Sequence, residues 1–118
     1  MTSERMRRVN EALREVLSEE ITGLKDPRIG FVTITGVRAS NDLRQATVYV
    51  SVLGSKRKRE ATIAGLTSSH GVLQAAVNRE LHLKRTPQLA FEYDPTVERG
   101  MRLSALIDDL APRDHDDG

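Results

Sequence analysis

Cysteine and tryptophan are absent from this chain, and its 118 residues include only two Phe and two Tyr. Without Cys there is no disulfide framework, no thiolate metal site and no cysteine nucleophile. That absence fits a reducing compartment, and a cytoplasmic location is expected. Four aromatics are too few for base-by-base readout of RNA across a stacking sheet. His70, His82 and His115 have no partners at metal-ligand spacing, so no metal or cofactor is expected. No apolar run approaches the roughly 20 residues of a membrane helix. Met1 to Arg8 leads into a mixed polar segment instead of an apolar signal core, so neither signal peptide nor membrane partner is expected. Gly65 and Gly71 fit neither of the phosphate-binding glycine patterns, G-x-x-x-x-G-K-[ST] and G-x-G-x-x-G. Ser69 beside His70 does not make a nucleophile and its base, because neighbours on a helix point about 100° apart. The chain reads as a non-enzyme.

What the chain does have is positive charge, unevenly placed. The formal net charge is only +1, but the last seven residues set Arg113 against Asp114, Asp116 and Asp117, a net of −2, leaving +3 on residues 1–111. For a polyanion partner, distribution matters more than the sum. The cations are Arg5, Arg7, Arg8, Lys25, Arg28, the unbroken run Lys56, Arg57, Lys58 and Arg59, then Arg79, Lys84 and Arg85. Such clusters bind backbone phosphate with little sequence information. A solvated helix start is the plain alternative for the run. However, four adjacent cations oppose the helix dipole there, which argues for another use.

Hydrophobic periodicity divides the chain into alternating helices and strands. Met6, Val9, Leu13, Val16, Leu17, Ile21 and Leu24 form a helical stripe that Ser3 can cap and that Gly23 and Asp26-Pro27 end. Residues 31–35 and 37–39 read as one β-branched strand with Gly36 at a bulge. Ser40 to Leu43 supply a turn, and Ala46 to Val52 a clean second strand, so an antiparallel hairpin with one buried face is expected. The basic run then opens a helical pattern through Ile63 and Leu66. That pattern breaks at Ser68-Ser69-His70-Gly71 and resumes from Val72 through Leu81, closing on Lys84-Arg85 before Thr86-Pro87. Ser68 or Ser69 can cap the second half. Gln88 to Tyr93 read as a third strand with Leu89, Phe91 and Tyr93 inward, and residues 97–110 as a short closing helix. The expected architecture is an α+β two-layer domain over residues 1–111, its three-stranded sheet covered by helices on one face, with a disordered acidic tail at 112–118.

Taken together, particular residues resemble a known family. Arg5-x-x-Arg8-Val9 leads a helix that ends in Leu24-x-Asp26-Pro27-Arg28. Val32-Thr33-Ile34-Thr35-x-Val37, Ser40-x-Asp42-Leu43 and Ala46-x-Val48-Tyr49-Val50-Ser51-Val52-Leu53-Gly54 follow. After Gly71 come Pro87-x-Leu89-x-Phe91-x-Tyr93-Asp94 and Gly100-Met101-Arg102. In this order they closely resemble the ribosome-binding factor A family, over roughly residues 5–110. The resemblance implies a type II KH-like fold, helix-strand-strand-helix-helix-strand, in which an Ala-x-Gly kink replaces the GxxG clamp. Here the kink is Ser69-His70-Gly71, which keeps the Gly and replaces the Ala. The resemblance further implies a non-catalytic assembly factor that binds the free 30S small subunit and its 16S rRNA late in maturation, supports processing of the 5′ end of the precursor, and matters most in the cold. A monomer is expected. The alternative reading is a protein-interaction module that docks another assembly factor.

Overall fold

The computed structural model describes residues 3–96, 99 and 100. Six elements run in the order α1 (Glu4–Ile21), β1 (Val32–Ala39), β2 (Gln45–Val52), α2 (Lys56–Ser68), α3 (His70–Leu81) and β3 (Gln88–Tyr93). This is the helix-strand-strand-helix-helix-strand order of a type II KH-like α+β domain. The closing helix expected over residues 97–110 lies outside the described residues except for Arg99 and Gly100, and so does the acidic tail.

α1 begins where the Ser3 side chain accepts the Met6 N–H at 3.1 Å, with Glu4 favourably placed against the positive end of the helix dipole. Met6, Leu13, Leu17 and Ile21 are buried, and Val9, Val16 and Leu24 pack against the same cluster. The three- and four-residue spacing of these side chains puts them on one face, and that face covers the sheet.

β1 and β2 pair antiparallel from Val32↔Val52 to Ala39↔Ala46, with a register shift between Ile34 and Gly36. The shift leaves Thr35 as the extra residue of a bulge. Its hydroxyl donates to Asp94 Oδ2 at 2.7 Å, linking the two edge strands across β2. On β2, Ala46, Val48, Val50 and Val52 are buried, whereas Thr47, Tyr49 and Ser51 are half-buried on the opposite face. β3 lies on the other side of β2 and pairs with it in parallel, from Gln45↔Gln88 to Val50↔Tyr93. A parallel neighbour needs a crossover, and the α2–α3 pair supplies it.

The helix pair departs from its sequence reading in two places. Ser69 joins the helices through its backbone, its N–H bonding the carbonyls of Gly65 and Leu66, and its side chain makes no capping bond. The second helix stops at Leu81, short of Lys84-Arg85, because His82 turns into the left-handed region at φ 49°. That turn lets both Leu81 and Leu83 pack on the core, and it places Lys84 and Arg85 on a loop.

Candidate nucleic-acid interface

The strands fix where the cations can stand. One end of the sheet is marked by Val32, Val52 and Tyr93, the other by Ala39, Gln45 and Gln88. An eight-residue strand separates them by roughly 25 Å.

At the first end, the loop after α1 is clamped to α2. The buried Thr62 hydroxyl accepts the Gly30 N–H at 3.1 Å and donates to the Arg28 carbonyl at 3.3 Å. Gly65 has no side chain, so Ile29 can come so close that a Cβ there would stand 2.7 Å from its Cγ1. Within the loop Arg28 closes on Asp26: Nη2 reaches Oδ2 at 2.6 Å, and Oδ1 accepts the Arg28 N–H at 2.9 Å. The Arg28 guanidinium and then its backbone N–H hold the Asp26 carboxyl down at about 2. Arg28 therefore serves the turn first.

The basic run forms the first turn of α2, capped by Ser55, whose side chain accepts the Lys58 N–H at 3.2 Å. No acidic residue stands in that turn. Lys56, Arg57 and Lys58 are exposed. Arg59 differs: it is half-buried, with its guanidinium 4.5 Å above the centroid of the Tyr93 ring, a cation–π contact. Lys58 lays its stem across two glycines. A Cβ on Gly30 would meet its Cε at 2.6 Å, and one on Gly54 would meet its Cγ at 3.0 Å. Between α2 and Tyr93 an open cleft of about 410 Å³ is lined by Lys56, Arg59, Glu60, Ile63, Ala64 and Tyr93.

The other end collects a different set. Asn10 accepts the Ala39 N–H at 2.9 Å, which fixes the start of α1, with Arg5, Arg7 and Arg8, beside that end of the sheet. Arg7 and Arg8 share Glu4, at 2.6 and 3.4 Å. A polar cleft of about 550 Å³ is lined by Arg44, Gln45, His70, Gln74, Arg85, Thr86 and Gln88. Arg44 stands outside the basic clusters of the sequence. The parallel β2–β3 register brings it to the same cleft as Arg85, and nothing in the linear chain signals that proximity. Arg79 faces α1, 3.5 Å from Glu20. His70 is exposed, and its Nδ1–H donates to the Thr67 carbonyl at 2.8 Å. Gly71 lies inside α3 without a positive φ, with open space where a Cβ would go. Of the predicted cations, Arg28 and Lys56 to Arg59 thus stand at one end of the sheet and Arg5, Arg7, Arg8 and Arg85 at the other, while Arg79 faces the last turn of α1.

Among the described residues no group of three or more His, Asp or Glu is placed to hold a metal, and no helix is long and apolar enough to cross a membrane.

The family model described as Ribosome-binding factor A matches residues 5–107. Ribosome-binding factor A of Geobacter metallireducens is 46% identical over 104 residues, covering 87% of this chain and 88% of that one. The crystal structure of ribosome-binding factor A from Thermus thermophilus superposes with a TM-score of 0.68 at 31% identity, covering 75% of this chain and 93% of that one. A homology model of the Thermus thermophilus factor, fitted into the cryo-electron-microscopy map of its complex with 30S, superposes at 0.62 and 31% identity, covering 73% and 91%. The match takes in every element from α1 to β3, and the chain belongs to the ribosome-binding factor A family.

Proposed function

We propose that this protein is a non-catalytic assembly factor that binds the free 30S subunit late in its maturation. By gripping phosphates of 16S rRNA it favours one arrangement of that RNA over the alternatives, supporting processing of the precursor's 5′ end, most of all in the cold. The observation that carries the reading is the likeness to the relative fitted into a 30S complex. The exposed cations Lys56, Arg57 and Lys58, held on a capped helix start, give it a physical basis. The protein works in the cytoplasm, where immature subunits are found.

Binding to purified small subunits, titrated with salt, tests this. The logarithm of affinity should fall linearly with that of salt concentration. The triple variant Lys56→Glu, Arg57→Glu, Lys58→Glu should bind more weakly and flatten the slope by roughly 0.7–0.9 for each phosphate that is no longer neutralised. Arg59 is left intact because its stacking on Tyr93 also serves the fold. Affinity indifferent to salt and to the triple variant would remove the electrostatic account.

A further inference from the structure

Phe31 is 82% exposed and Leu53 69% exposed, in a chain whose other Phe is buried. They stand side by side at the open end of the hairpin, where the Leu53 N–H donates to the Phe31 carbonyl at 3.1 Å. Leaving a large aromatic ring in water forgoes the burial that would normally stabilise it. Nor is the ring on a loose segment. Gly30, its neighbour, is bonded to Thr62, and Ile29 is wedged against Gly65.

The surroundings of this apolar pair are cationic. Lys58 crosses the backbone at Gly30, one residue from Phe31, and Lys56 and Arg57 follow Leu53 through Gly54-Ser55. An apolar protein partner seated on Phe31 would strip water from these three cations without supplying counter-charge, which is costly. An unpaired nucleotide offers both halves, a flat π-face for the ring and phosphates for the cations.

We propose that Phe31, with Leu53 beside it, is a stacking platform for an unpaired base of RNA whose flanking phosphates are held by Lys56, Arg57 and Lys58. The proposal rests on the RNA-binding reading above and adds to it a preference for single-stranded RNA at one defined place. It stays within the expectation, drawn from the scarcity of aromatics, that bases are not read one by one. One exposed ring cannot read a sequence, but it can select a splayed-out base.

The chain has no Trp, so Phe31→Trp places the only indole at the site. Its emission should be quenched by short unstructured oligoadenylate and by small subunits, and left unchanged by inorganic polyphosphate, which has charge but no bases. Phe31→Ala should weaken oligoadenylate binding on the order of tenfold and leave the salt slope intact, because stacking releases no counterions. Phe31→Tyr should restore most of the affinity. The urea midpoint of Phe31→Ala should match that of the parent, since the ring lies outside the core. Unquenched emission together with unchanged affinity of Phe31→Ala overturns the platform. If the charge-reversed triple variant still loses salt-dependent binding to small subunits, the assembly-factor reading survives that failure. Emission that responds to small subunits but not to protein-free RNA also overturns the platform, because it makes the occupant a ribosomal protein. Quenching by oligoadenylate with no binding to small subunits keeps the platform and overturns the assembly-factor reading instead.

Discussion

Thr62 is the only polar side chain in the buried set of described residues, and its hydroxyl serves two backbone groups of the loop after α1. Thr62→Val keeps the shape and removes both bonds, to the Gly30 N–H and the Arg28 carbonyl. The expected loss is about 1–3 kcal/mol, read as a lower urea midpoint with an unchanged slope. Asp26 acts in the same loop through charge. Its carboxyl titrates at about 2 when folded against an ordinary 3.8, so the folded state binds its proton less readily than the unfolded chain. The stability it contributes is complete above about pH 4 and disappears as pH falls toward 2. Asp42, held down first by the Ser40 hydroxyl, and Asp94, held down first by Thr96, slope the same way. The difference between parent and Asp26→Asn therefore isolates the one group. Acid titration of the two proteins should show their stabilities converging between pH 4 and 2, and a constant gap would contradict the ion pair.

At the scale of the element, the two glycines of the helix pair have opposite roles. Alanine at Gly65 would gain up to about 1 kcal/mol of helix propensity. It would also push Cβ to 2.7 Å from Ile29 Cγ1, with Arg28 Cβ and Asp26 Cγ both at 3.4 Å, and such overpacking costs about 1–3 kcal/mol. Gly71 has open space and helical backbone. Thermal denaturation should show Gly65→Ala destabilised and Gly71→Ala stabilised, the latter by about 0.5–1 kcal/mol. That stabilisation would mean that the isolated fold does not require the glycine of the kink. The same scale shows what the sequence makes legible. The stripe of α1 and the alternation of β2 are dictated by burial on one side, and they read directly as periods of 3.6 and 2. The bulge at Thr35, next to Gly36, and the break at Ser69 are legible from local residue chemistry. The end of α3 is not, because His82 has no glycine-like signature and turns so that Leu83 can reach a core assembled elsewhere. Phe31 misleads for the opposite reason: its alternating β-branched neighbours suggest a strand, and only the three-dimensional edge of the sheet shows that its ring has no core to enter.

For the whole molecule, the decisive relation is the parallel placement of β3 beside β2. No local pattern announces it, since it joins residues about forty positions apart, Gln45 with Gln88 and Val50 with Tyr93. It also divides the candidate site, drawing Arg44 toward Arg85 at one end and setting Tyr93 under Arg59 at the other. The list of cations was readable in the sequence, but their sorting into two groups was not, because each address depends on the sheet register.

That strand has a further consequence for synthesis. A ribosome releases the hairpin, α1 and both later helices before it releases residues 88–93, so the nascent chain must carry a sheet with one side of its middle strand unpaired. Val48 and Val50 lack their last neighbour until Phe91 and Tyr93 emerge. The sheet is therefore complete only once β3 has emerged, and the seating of Tyr93 under Arg59 and the closing of the Arg44–Arg85 cleft wait for that step.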